Sequence, residues 1–113
     1  MEAMMIILHD IGFKEKVLEV LKGAEIADLT VFEGDRAGEM LVSQGFFNVM
    51  GIQSGAFAES LGMLCIIKDE SKLEEILNKV SAALNNFQDP NIGLIFTWKL
   101  NKVRGHQQNY DRK

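Results

Sequence analysis

The chain has 113 residues, 47% of them hydrophobic and 25% charged, the composition of a single globular domain. A net charge of −4, with the only basic cluster (Lys99, Lys102, Arg104, Arg112 and Lys113) near the C-terminus, excludes the basic footprint of a nucleic-acid-binding protein. One cysteine, Cys65, excludes an internal disulfide. The N-terminus shows no signal-peptide pattern, so the expected compartment is the cytoplasm.

The first unit is "MIILHDIGFKEKVLEVL" (Met5–Leu21), an apolar run that predicts a buried strand, followed by helical spacing. Gly23 stands where a left-handed residue would stop that helix. "DLTVFEG" (Asp28–Gly34) predicts the second strand. "LCIIKDESKLEEILNKV" (Leu64–Val80) then aligns with the first unit without a gap, Asp69 matching Asp10 and Leu77 matching Leu18. Leu73, Ile76, Leu77, Val80, Ala83, Leu84 and Phe87 recur at three- and four-residue steps, one face of an amphipathic helix. Ser71 with Glu74 three residues on has the pattern of a capping box. "GLIFTWKL" (Gly93–Leu100) predicts the last strand.

The order βαββαβ is that of an α+β, ferredoxin-like sandwich: a four-stranded antiparallel sheet with two helices on one face. The first and third strands form its centre, and we expect Asp10 and Asp69 to end neighbouring parallel strands. A strand with one wet face should alternate apolar and polar residues. "MMIIL" (Met4–Leu8) and "MLCII" (Met63–Ile67) do not alternate, and "LIF" with Trp98 is equally apolar. Two helices cover only one face, so other copies of the chain are expected to bury the second. Cys65, within "GMLCII", is expected to be a buried, inert thiol.

Between the second and third strands about 27 residues intervene, from Gly34 to roughly Leu61, where a short hairpin would suffice. "MLVSQGFFNVMGIQSGAFA" (Met40–Ala58) holds no charge, yet its glycines and amides make it too polar for a membrane span. Its composition is not that of a solvated linker. Phe46, Phe47 and Met50 fit one side of a short helical turn, and with Phe57 they would form a surface for a partner or another subunit.

From about Met4 to Gly105 the chain resembles the PII and PII-like signalling proteins. The resemblance rests on "FQDPNIGLIFTWKLNKVRG" and "VLEVLKGAEIADLTVFEGDRAG", together with the long excursion between strands two and three. It implies a trimeric, non-enzymatic regulator with one domain over residues 1–105 and a polar tail over 106–113. Residues 34–61 would be the T-loop that engages a regulated protein, such as a transporter or an enzyme. A small molecule would sit in the clefts between subunits, against Gly34, Arg36, Gly38, Asp89, Asn91, Gly93 and Arg104. The resemblance leaves the effector open; an adenine nucleotide is the family's usual one. Leu94 stands where nucleotide-binding members carry a phosphate-binding lysine, the only tyrosine is Tyr110 in the tail, and Glu33, Asp35 and Glu39 would repel a triphosphate.

Two other readings come from the same fold. A dimeric α+β-barrel enzyme would use "GFFNVMGIQSGAF" as an apolar cleft, and a copper-tolerance-like trimer would bind metal across subunits. His9 and His106 show none of the clustered spacing of a structural metal site, and no Ser/His/Asp or Cys/His nucleophile pattern is legible.

Overall fold

The computed structural model describes residues 1–36 and 58–105. The expectations for Gly38, Phe46, Phe47, Met50, Phe57 and the tail 106–113 lie outside the described residues.

The chain forms β1 (Glu2–Leu8), α1 (Lys14–Lys22), β2 (Asp28–Arg36), β3 (Ala58–Ile67), α2 (Leu73–Ala83) and β4 (Gly93–Lys99). The strands make one sheet in the order β2-β3-β1-β4, every neighbouring pair antiparallel. The fold is thus α+β, an open four-stranded sheet with two helices, and is compatible with a ferredoxin-like arrangement. Met4, Ile6 and Leu8 of β1 and Met63, Cys65 and Ile67 of β3 are buried in one core with Val17 and Leu21 of α1 and Ile76 and Val80 of α2. Alternate strand residues share a face, so these side chains fix which side of the sheet carries the helices. No helix among the described residues is long and apolar enough to cross a membrane.

The two βα units are copies down to their turns. Asp10 Oδ1 accepts from Gly12 N at 3.0 Å, and Asp69 Oδ1 accepts from Ser71 N at 3.0 Å. Each carboxylate opens a single 3₁₀ turn, Ile11–Phe13 or Glu70–Lys72, that leads into the helix. Because β1 and β3 are antiparallel, not parallel as expected, Asp10 and Asp69 lie at opposite ends of the sheet. The reason is topological: each helix returns its chain two places along the sheet, so the third strand enters β1's side reversed.

Three local expectations are corrected. The capping box does not form: Asp69 is the cap, and Ser71 Oγ donates to it at 2.6 Å. Gly23 ends α1 with φ −84°, its N–H satisfied by the Glu19 carbonyl, so no left-handed residue is needed there. The left-handed residues come instead after α2, at Asn85, Asn86 and Phe87 (φ 55°, 54° and 58°). They turn the chain out of the helix, and Phe87 reaches the core from beyond the helix rather than from its stripe. Asn adopts this conformation readily through its short polar side chain; for a bulky residue such as Phe87 it is uncommon.

β3 also begins earlier than the apolar run suggests. The β2–β3 ladder continues through Gly34↔Ser60 and Asp35↔Glu59 to Arg36↔Ala58. The first and last residues of the expected 34–61 excursion are therefore paired strand.

Gly93 is the glycine this sheet cannot replace. Its φ is +152°, and a Cβ there would stand 2.0 Å from the Ile7 carbonyl oxygen. Gly34 has open space around the corresponding position. Gly93→Ala should cost on the order of 3 kcal/mol or more in a urea titration, while Gly34→Ala should stay within about 0.5 kcal/mol of the parent. Equal midpoints for the two variants would contradict the register of β4.

Candidate functional site

Two surfaces of this fold are built for more than packing: the helix-free face of the sheet, and the end of the sheet where β2 and β3 run on beyond their neighbours.

The face follows from the ladder. Opposite the helices, one row across the sheet is Thr30, Leu64, Met5, Phe96; the next is Phe32, Gly62, Ile7, Leu94. Asp28, Ile66, Ala3 and Trp98 form a third, with Asp28 its one charge. Phe32, Leu94, Phe96 and Trp98 are exposed by 45%, 42%, 43% and 41% in the single chain. Phe96 and Trp98 stack with ring centroids 5.7 Å apart, and the Phe32 ring lies over Gly62, within 2.3 Å of where a Cβ would stand. This whole face carries apolar side chains with scarcely a charge among them.

At the sheet end, Glu33 of β2 sits opposite Leu61 of β3, Leu61 opposite Leu8 of β1, and Leu8 opposite Gly93 of β4. An open pocket of about 400 Å³ lies where the Asp10 turn meets the β2–β3 ribbon, walled by Ile11, Lys14 and Leu61 and by Glu33, Glu59 and Ser60. Ser60 is only 8% exposed, and its Oγ is 3.0 Å from His9 Nδ1. His9 is held in turn through its backbone N–H, which donates to the Ile92 carbonyl at 2.8 Å.

The residues expected to bind a ligand divide between the two edges of the sheet. Gly34 borders the pocket, and Arg36 closes β2 opposite Ala58. Asp89 accepts from Asn91 N at 2.9 Å and, through its carbonyl, from Ile92 N at 3.1 Å, a tight turn that delivers Gly93 to β4. Two central strands separate the two groups, about 14 Å at the usual strand spacing. Arg104 is exposed beyond β4, whose last residue, Lys99, pairs with Glu2 at the far end of the sheet.

Sequence reasoning missed Ser60, Glu59, Lys14 and Ile11 as neighbours of one pocket. Ser60 and Glu59 precede the apolar run that marked β3, so no periodicity pointed to their pairing. Among the described residues no group of three or more His, Cys, Asp or Glu is placed to hold a metal ion.

The ionisable groups with displaced pKa values lie elsewhere. At the opposite end of the sheet Glu70 is held below the usual carboxylate range, first by its hydrogen bond from the Met1 amine at 2.6 Å and then by Lys99. Lys72 is raised by its hydrogen bond to Glu25, 3.0 Å away. Both pairs are exposed and solvated, which limits their worth. Cys65 is different: burial pushes its thiol up to about 12. A thiol so raised stays protonated at neutral pH and supplies no nucleophile.

No family model matches this chain, and no curated protein matches it either. The reading of its function therefore rests on the geometry above.

Cys65 gives a test of the core. In the folded protein it should not react with a thiol reagent at neutral pH, and it should react at the full rate once denatured. Its folded pKa is the raised one, so its contribution is complete below the ordinary value of 9.0 and is lost as pH rises towards about 12. Across that window stability should fall by about 1.4 kcal/mol per pH unit more steeply than in Cys65→Ala. Rapid labelling of the native protein would place Cys65 outside the core.

Proposed function

We propose that the chain is a PII-like regulatory protein: a ferredoxin-like protomer assembled as a trimer, which senses a small molecule between subunits and acts on a partner protein. The observation that carries this reading is the apolar helix-free face. Four large side chains there stay more than two-fifths exposed in the single chain, and a patch of this kind marks an interaction surface. Closed assembly of three sheets, face inward, removes it from water.

The sheet end supports the same reading. Gly34 and Arg36 on one edge and Asp89–Gly93 on the other lie at the same end of the strands. Packing the β2 edge of one subunit near the β4 edge of the next joins them into a shared cleft. The β2–β3 ribbon leads directly into residues 37–57, where Phe46, Phe47, Met50 and Phe57 supply the partner surface. The effector is left open: an adenine nucleotide is the family's usual one, and Leu94 in place of a lysine with Glu33 beside Gly34 counts against a triphosphate.

A dimeric α+β-barrel enzyme is the second reading, because the same apolar face would pack equally well against one partner sheet. Sedimentation separates the two. A species of three 12.7 kDa chains is expected, and Phe96→Lys or Trp98→Glu should shift it to single chains while the secondary structure persists. A two-chain species would favour the barrel enzyme, and a stable monomer of the parent protein would overturn both. Adenine nucleotides, 2-oxoglutarate and cyclic dinucleotides, screened by thermal shift, test the sensing role, since a ligand of the folded state raises the melting temperature. No shift across that panel would remove those effectors and leave a partner-binding scaffold.

A further inference from the structure

The pocket at the sheet end has a charge pattern that the assembly does not use. Lys14, Glu33 and Glu59 all line it, yet none forms an ion pair or side-chain hydrogen bond among the described residues. Charges of opposite sign in one cleft ordinarily pair with each other; here they are held apart, Lys14 at the start of α1 and the two carboxylates on the β2–β3 ribbon. We propose that this pocket binds a free dibasic amino acid of the arginine or lysine type, within a single chain.

The fit is residue by residue. Glu33 faces Leu61 across the ladder and Glu59 precedes Leu61 by two, so the carboxylates are diagonal neighbours on one face of the ribbon. Diagonal positions are about 7 Å apart, a span that one guanidinium or two ammonium groups bridge. Lys14 answers the ligand's carboxylate. Ile11, exposed by 44% although large and apolar, and Leu61 offer a surface for the methylene stem. A volume of about 400 Å³ lies in the range of small-ligand sites.

Charge also states what the pocket refuses. Two carboxylates against one ammonium leave a net −1 on these side chains, matched by a ligand of +1. Phosphates meet repulsion from both glutamates, a neutral amino acid leaves a carboxylate unanswered, and an amine without a carboxylate leaves Lys14 unanswered.

Isothermal titration of the full chain with L-arginine and L-lysine tests this directly, with L-leucine and agmatine as probes lacking the second cation and the carboxylate. Binding of at least one dibasic amino acid is expected, roughly tenfold tighter than either control. Glu33→Gln and Glu59→Gln should each weaken it by roughly tenfold, and Lys14→Gln should abolish the preference over agmatine. These residues are at the surface, so the unliganded melting temperature serves as the folding control. No binding up to roughly 10 mM, equal binding of agmatine, or insensitivity to all three substitutions would overturn the proposal. Because the site belongs to one chain, a monomeric result would remove the trimer and leave this test intact. A failed titration would equally leave the sedimentation result standing.

Discussion

Most of this molecule follows from one mismatch: two central strands that are apolar on both sides and only two helices to cover one of those sides. On the helix side the core closes around Met4, Ile6, Leu8, Met63 and Cys65. On the other side Phe32, Leu94, Phe96 and Trp98 remain half in water. Burying the remainder of these four contributes about 1 kcal/mol each. Their sum only reaches the lower end of the roughly 4–15 kcal/mol that association costs. Any stable assembly must therefore use the whole face, with Met5, Ile7, Leu64 and Ile66, and not an aromatic patch alone.

The internal repeat gives the fold its two unlike ends. The same Asp-led turn opens both helices, but antiparallel central strands send Asp10 to one end and Asp69 to the other. Around Asp69 the surroundings are saturated with ion pairs, Glu70 with Lys99 and the Met1 amine, Lys72 with Glu25. Around Asp10 the neighbouring charges Lys14, Glu33 and Glu59 line an open pocket. A duplicated unit has thus become a closed end and an open one, and the residues that differ lie mostly outside the repeat itself.

The elements were legible because their signals are local. Apolar runs marked all four strands, and the helical spacing of Val17, Leu21, Ile76 and Val80 marked the core face that the structure buries. What the sequence hid depends on pairing. The length of β3 was invisible because Ala58–Ser60 carries no apolar run, and only the ladder with Gly34–Arg36 makes it a strand. The turn after α2 was invisible for the opposite reason: Phe87 keeps the helical step while Asn85 and Asn86 reverse the backbone hand. The pocket needed three separate segments to meet, which no spacing within one segment reveals.

The β2–β3 ribbon carries two of the pocket's three walls. β1 stops at Leu8 opposite Leu61, so the last three β2–β3 pairs have no third strand beside them. A two-stranded ribbon is marginal by itself. Its support comes from the base, where His9 meets Ser60 and the Ile92 carbonyl receives the N–H groups of both His9 and Asp10. A cation lodged against Glu33 and Glu59, the ligand proposed above, would tie the two strands of that ribbon together. Ligand occupancy and the stability of the ribbon would then be one equilibrium, coupled by the charge of a few side chains.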